Sequence, residues 1–440
     1  MSSPLPPRAR TTIVGLGPAG TGPLIAAARA DRLDALLSGG LALIDARDRI
    51  GAGDLGAYVL RSDSGARSFA EGVADGGLGP ALDTPTIRDR ARELTALGHE
   101  PAPLERAAAL LDAVGASFAR AWRDDERVQL RLSTRAVGLR RRGESWELEL
   151  EDAAGRRTHH RSQNVLLALG GEQDHRAALE AALPHGRAIG AARASRTVAT
   201  DHLMRADGLA RVLGGLPERP RIVVLGGSHG AFSSAWLLLE RLDERLDPDG
   251  VQIFHRGPIR VTFPSAEAAR ESGYRFDPED VCPRTGRVHR LGGLRGDGAE
   301  LWRSLRDGRE PRVALRSLEG LTAGELDALL DEADLIVPAF GYRMRLLPVH
   351  DERGERVRLA AESGPRVVDQ QGRLLDANGR PLPGLFAMGL SSGMTGDAEL
   401  GGEPSFAGHT NGIWLWQHAI GERVLDGLLQ GAGEEVGTCS

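Results

Sequence analysis

The sequence predicts an α/β chain built of two similar parallel-sheet units. An apolar strand runs into a glycine turn and a helix at Thr12-Ile13-Val14-Gly15, and the same order returns at Ile222-Val223-Val224-Leu225-Gly226, about 210 residues later. A length of 440 residues leaves room for two or three domains at about 150 residues each.

The elements follow in order. After a short Pro-rich lead, the strand ending at Val14 opens through Gly15-Leu16-Gly17-Pro18-Ala19-Gly20 into an Ala/Leu-rich helix reaching Leu37. Leu41 to Ile44 is a second strand, closed by Asp45. Pro85 to Asp125 reads as helical, with Leu104, Ala108, Leu111, Phe118 and Trp122 spaced to share a buried face. Val128 to Leu132, Ala136 to Leu139 and Trp146 to Leu150 read as short strands, with a turn at Asp152-Ala153-Ala154-Gly155. Val165 to Leu169 is a strand entering the Gly170-Gly171 turn. A polar stretch from His175 to Pro220 bridges to the second unit, whose turn Gly226-Gly227-Ser228-His229-Gly230 is followed by a helix from Ala235 to Leu246. The next strand, Val251 to Phe254, ends in His255-Arg256. A further strand around Leu335 to Val337 leaves through Phe340-Gly341-Tyr342. Gly384 to Gly389 forms a short strand, a helix runs from about Asn411 to Leu429, and the end of the chain reads as frayed.

Composition removes several chemistries. No lysine occurs, so all 55 basic residues are arginine, and a P-loop, a pyridoxal Schiff base and a kinase strand lysine are all excluded. Net charge is −6 with acids interspersed among the arginines, which argues against nucleic-acid binding. The two cysteines, Cys282 and Cys439, form no C-x-x-C, so a dithiol pair, a zinc knuckle and a cysteine-held cluster are unsupported, and no metal is expected. His159 and His160 lie in a hairpin between arginines, a poor setting for a metal. No apolar segment follows Arg8 and Arg10, and no run reaches the roughly 18 apolar residues of a membrane span, so a cytoplasmic chain without membrane contact is expected.

The glycine turns carry the chemistry. A pyrophosphate binds where a strand turns sharply into a helix whose free N–H groups and dipole favour anions. Gly15 permits the turn, Gly17 admits the phosphate and Gly20 lets helix and strand pack, with Pro18 and Ala19 between them. Asp45 stands where an acid takes ribose hydroxyls, 30 positions after Gly15 against a usual gap of about 20, so the intervening helix or loop is long. The second turn has Ser228 and Ala231 in place of the later glycines, small enough for the same packing. Its next strand ends in His255-Arg256 with Arg260 close behind, and a guanidinium pairs bidentately with a 2′-phosphate that an Asp would repel. That favours NADPH over NADH.

With two such units the sequence resembles the flavoproteins that carry one FAD-binding and one NAD(P)H-binding Rossmann domain, a family that includes thioredoxin and ferredoxin reductases and the class B flavin monooxygenases. The resemblance spans nearly the whole chain. It rests on the Gly15 fingerprint with Asp45, on Ala168-Leu169-Gly170-Gly171 in place of the family's Ala-Thr-Gly turn, on the Gly226 fingerprint, and on Phe340-Gly341-Tyr342. Gly389-Leu390 ends the strand that returns to the flavin, where many reductases have Gly-Asp. The resemblance implies an α/β fold of two Rossmann-like domains, with FAD held by residues 1–200 and 345–440 and NADPH by the inserted residues 201–344.

It also implies site residues. For FAD these are Ala46 beside Asp45, Gly53, Ser62 and Ser64, Val137, Ala168 to Gly170, Gly389, Leu390, and a last helix capped by Thr410 and opened by Gly412, with its positive end toward the flavin. For NADPH they are Gly226, Gly227, Ser228, His229, Ser233, His255, Arg256, Arg260, Phe340 and Gly341. Asp63, His409 and Asn411 are the catalytic candidates. Trp414 and Trp416 are core, a flavin wall or a dimer contact. Asp397, Glu399 and Glu403, between the return strand and the last helix, either pair with a substrate ammonium or form a solvated loop.

Without a C-x-x-C, electrons leave either to oxygen or to an external acceptor. The first route is an NADPH-oxidising monooxygenase that hydroxylates a small molecule, an amine nitrogen in the most similar subgroup, through a flavin C4a-hydroperoxide. The second is a reductase serving a ferredoxin or quinone. A flavin-bearing redox sensor or assembly protein is the reading from another class. The Baeyer–Villiger signature F-x-G-x-x-x-H-x-x-x-W-P is absent in its complete form. The implied partners are a small-molecule substrate and oxygen, and a homo-oligomer is compatible with the sequence.

Overall fold

The computed structural model describes residues 8–74, 76–182, 190–362, 364, 366–390 and 392–430. Its larger sheet is laid down around Arg8–Val14, whose β-branched Thr11, Thr12, Ile13 and Val14 are buried on both faces. This strand pairs in parallel with Leu41–Ile44 on one side and with Arg157–Leu167 on the other. Val128–Arg131 extends the sheet beyond Leu41–Ile44, and Pro381–Ala387 joins it at Val165–Leu167, both in parallel. The parallel core therefore takes strands from both ends of the chain. Arg157–Leu167 is long enough to take two different neighbours along one edge of the same sheet. Its first half is antiparallel to Ser145–Asp152, which pairs in turn with Thr134–Arg142, while its second half lies in the parallel core.

The smaller sheet is wholly parallel, in the order Val313–Ser317, Val251–His255, Ile222–Leu225, Leu335–Pro338. Both sheets thus run third strand, second, first, then fourth, the doubly wound order in which ligands bind beyond the carboxyl ends of the strands. Each has its own core, one around Ile13, Leu43 and Leu166 and the other around Val224, Phe232 and Val251.

Three stretches differ from the sequence expectation. Pro85 to Asp125 is two helices, Pro85–Ala96 and Leu104–Ala121, because Pro101 and Pro103 break the helix and form a short strand against Arg61–Gly65. The polar bridge contains helices, including His175–Ala182 and Ala206–Gly215, whose apolar residues cover only one narrow face. The last helix is two, Ile413–Gln417 and Ala419–Leu429. The break falls at His418, whose ring stacks on Trp414 at 4.3 Å and whose Nδ1 lies 2.7 Å from the Trp414 carbonyl, taking the acceptor a continuing helix would have used. The expected fraying after residue 430 and Cys439 lie outside the described residues. Among the described residues no helix is long and apolar enough to cross a membrane, and no cluster could hold a metal ion. His160 is fully buried against the Thr12 hydroxyl, 3.0 Å away.

Candidate functional site

Both glycine turns open onto one cleft of about 1880 Å³ at the carboxyl edges of the two sheets. A pocket for one drug-sized ligand takes about 300–1,000 Å³, so this cleft has room for two. Gly15, Gly17, Pro18 and Ala19 line it from one side, and Gly226, Gly227, Ser228, His229 and Ser233 from the other.

The three glycines of the first turn do different work. Gly15 has φ +89°, and a Cβ there would lie 2.3 Å from the Ala168 carbonyl oxygen. A Cβ on Gly20 would lie 1.8 Å from the Gly15 oxygen, so this position holds helix against strand and does not line the cleft. A Cβ on Gly17 would meet nothing nearer than the Gly53 Cα at 3.6 Å, so the space beside it is open. In the second turn, Gly226 has φ +140° and abuts the Ala339 carbonyl. Helix Pro18–Arg29 and helix His229–Leu242 begin without a side-chain cap, so their first N–H groups are free for an anion. These features fit a dinucleotide at each turn.

Asp45 lies at the cleft and is buried. Its two oxygens accept N–H bonds from Leu16 at 2.5 Å and Arg47 at 2.7 Å, so the acid braces the turn while its remaining lone pairs stay available. Ala46, Gly53, Ser62, Ser64, Ala168, Leu169, Gly170, Gly389 and Leu390 line the same space, as do His255, Arg256, Phe340 and Gly341.

The three catalytic candidates are brought to the cleft. Asp63 faces His229 Nε2 at 3.4 Å and Arg295 Nη2 at 3.3 Å, linking the first unit to the nicotinamide-type turn. Burial lowers the His229 imidazole below its usual value, with Asp63 opposing. His409 and Asn411 line the cleft beside Gly412, and the Asn411 Oδ1 is buried against Gly393 with no hydrogen-bond partner among the described residues.

Six expected contacts fall elsewhere. Thr410 is not a helix cap. It belongs to the two-residue strand His409–Thr410 paired with Met394–Thr395, and Gly412, at φ +155°, precedes the helix. Val137 sits at a bulge in its strand while Thr134, Arg135 and Ala136 face the cleft. Arg260 is turned away from the cleft toward the Ser405 carbonyl, at 3.5 Å. The three proposed ammonium acceptors are all spent inside the chain. Asp397 and Glu399 share Arg423, and Glu403 is buried and accepts the N–H groups of Leu291 and Gly292 at 2.9 and 2.8 Å.

The sequence reading missed a polar bridge across the cleft. Tyr58 and Tyr342 both donate to Asp201, and Arg205 joins Asp201 to Asp54 at 3.4 and 3.1 Å. Burial and the Asp201 charge push Tyr58 up to about 12, so it remains a donor. It also missed Arg287, Arg290 and Arg295, which sit on a loop without a recognisable motif.

Two doubly wound sheets sharing one cleft, each with an uncapped glycine-turn helix facing it, define an oxidoreductase that holds two dinucleotides. No family model matches the chain. It is 34% identical over 441 residues to a CMP-5'-(3-aminopropyl)phosphonate hydroxylase from Streptomyces rubellomurinus, covering 95% of this chain and 97% of that one. Its fold is similar to those of ornithine hydroxylase from Pseudomonas aeruginosa (TM-score 0.53, 15% identity, 96% and 98% of the two chains) and ornithine N-hydroxylase from Kutzneria sp. 744 (0.52, 14%, 96% and 99%). The cadaverine monooxygenase of Erwinia amylovora is also similar in fold (0.51, 12%, 96% and 94%). The chain belongs to the family of that Streptomyces hydroxylase and is an FAD-dependent, NADPH-oxidising monooxygenase.

Proposed function

We propose that this enzyme hydroxylates the primary amine of a nucleotide-linked aminoalkylphosphonate. The observation that carries the reading is the 34% identity, over 95% of this chain, with a hydroxylase named for such a compound. The balance is R–NH2 + O2 + NADPH + H⁺ giving R–NHOH + NADP⁺ + H2O: one oxygen atom enters the new N–O bond and the other leaves as water. Bound FAD would supply the hydride acceptance and the oxygen activation.

The chain's own groups position the reactants. The free N–H groups behind Gly17 hold the FAD pyrophosphate, and Asp45 takes a ribose hydroxyl. The helix behind Ser228 takes the NADPH pyrophosphate. Arg256 has no acidic partner among the described residues and stands at the strand end beside His255, free to take the 2′-phosphate. Asn411 borders the cleft beside His409 and Gly412. An amine reacts through its lone pair, so the site must receive it as the neutral base, and His409 on the cleft wall takes the proton in this reading. The Tyr58–Asp201–Tyr342 bridge holds two walls of the cleft together.

The test is incubation of the FAD-loaded enzyme with NADPH, oxygen and CMP-5'-(3-aminopropyl)phosphonate, followed by mass spectrometry. A product one oxygen heavier, formed one for one with NADPH oxidised, supports the reading. NADPH oxidation that yields only hydrogen peroxide, with the amine recovered unchanged, overturns it.

A further inference from the structure

The walls of the cleft are unusually cationic, with eleven arginines against seven carboxylates. Seven of these arginines are ion-paired within the chain. Arg256, Arg287, Arg290 and Arg345 have no acidic partner among the described residues. Arg256 belongs to the second glycine turn, and the Arg345 amide bonds the Gly170 carbonyl beside the first. The remaining two lie three positions apart on one loop.

That loop is held rigidly. At one end Arg295 meets Asp63, and a Cβ on Gly296 would lie 3.4 Å from the Ser62 carbonyl. At the other, the buried Glu403 carboxylate takes the N–H groups of Leu291 and Gly292, and Arg290 Nη1 donates to the Leu400 carbonyl at 2.8 Å. The Leu291 side chain and the Thr410 hydroxyl both lie 3.7 Å from the Cβ position of Gly396, so the loop passes beside the His409–Asn411 segment. It therefore spans from Asp63 to Asn411, across the part of the cleft between the two glycine turns.

An unpaired guanidinium at the wall of a cleft attracts an anion, and its planar fork matches a tetrahedral phosphorus oxyanion. The same charges repel an ammonium. Resting on the function proposed above, we propose that Arg287, with Arg290 beside it, is the phosphorus-oxyanion subsite that selects phosphonate-bearing amines and turns the amine end away from the loop, toward Asn411. The carboxylates expected to choose the substrate by its ammonium are neutralised elsewhere, so selection works from the opposite, anionic end of the molecule.

The experiment is an equilibrium titration of the oxidised, FAD-loaded full chain, without NADPH, followed by the flavin difference spectrum. The probes are CMP-5'-(3-aminopropyl)phosphonate, 3-aminopropylphosphonate and propylamine. Arg287 is exposed and its side chain makes no bond within the described chain, so Arg287→Ala should keep its flavin and its thermal midpoint. It should weaken the phosphonate probes about tenfold or more, leave propylamine unmoved, and be partly rescued by Arg287→Lys. Loss for both phosphorus compounds places the guanidinium on the phosphonate. Loss for the CMP ester alone places it on the nucleotide's phosphate, and both results support the subsite. Equal affinities of wild type and Arg287→Ala for both phosphorus probes overturn it, as does a wild type that binds neither. Because no turnover is involved, an enzyme that binds the ester through Arg287 yet fails to hydroxylate it would refute the proposed reaction and leave the subsite standing.

Discussion

Substitution of Gly17 separates ligand binding from folding at a single atom. Its backbone, at φ −74° and ψ −167°, is open to any residue, and its Cβ position meets nothing closer than 3.6 Å. Alanine there should leave the fold intact, even stabilising it by about 0.4–1 kcal/mol through the unfolded chain. The added methyl stands where the pyrophosphate must approach the helix N-terminus, and in Gly17→Val the two further carbons occlude that approach. Losing two charge-assisted N–H contacts at about 1.5–3 kcal/mol each weakens FAD by about a hundred- to ten-thousand-fold. The assay pairs the flavin absorbance of the purified protein with thermal unfolding of the apoprotein. A yellow, fully loaded Gly17→Val protein would refute the FAD assignment. Gly20→Ala is the contrast, because its Cβ would stand 1.8 Å from the Gly15 oxygen and should destabilise the apoprotein itself.

Arg256→Ala should raise the KM for NADPH at least tenfold and leave that for NADH nearly unchanged, since only the 2′-phosphate is lost; equal effects on both coenzymes would remove Arg256 from that role. Glu399→Ala, which deletes an exposed carboxylate from Arg423, should change stability by no more than about 0.5 kcal/mol and leave the KM for the amine substrate unaltered in steady-state assays. A large rise in KM would return this acid to the substrate site. Burial, reinforced by Arg131, depresses His160 from 6.5 to about 4. The unfolded chain takes up this proton before the folded one does, so the contribution is complete above about pH 6.5 and lost as pH falls toward 4; at 1.36 kcal/mol per pKa unit it is about 3 kcal/mol. Urea-unfolding curves of wild type and His160→Gln should show the wild type losing more stability between pH 7 and pH 4, and parallel losses would contradict it.

What could be read in advance was local. A strand, a glycine turn and a helix are adjacent in sequence, so both dinucleotide turns and the Asp45 and Arg256 strand ends were legible from spacing alone. The roles of Asp397, Glu399 and Glu403 were not, because their partners lie 26, 24 and more than 100 residues away, and only the fold brings Arg423 and Leu291 to them. The arginine loop was invisible for the same reason: in a chain with 55 arginines, what distinguishes Arg287 is its place on the cleft wall without an acidic partner, and only the fold shows that. The last helix was read as continuous because its composition favours one, and His418 interrupts it through a side-chain contact that periodicity does not encode.

The pairing of Pro381–Ala387 with Arg157–Leu167 sets an order of events during synthesis. The smaller sheet has all four strands once Pro338 has emerged, whereas the larger sheet lacks a strand until Ala387, 49 residues later. At about 5–20 residues per second the ribosome needs roughly 2–10 s to cover that interval. Throughout it the edge of Val165–Leu167 stands unpaired beside a module that can already close. The middle of the protein therefore matures first, and the unit that begins the chain is the last to be finished.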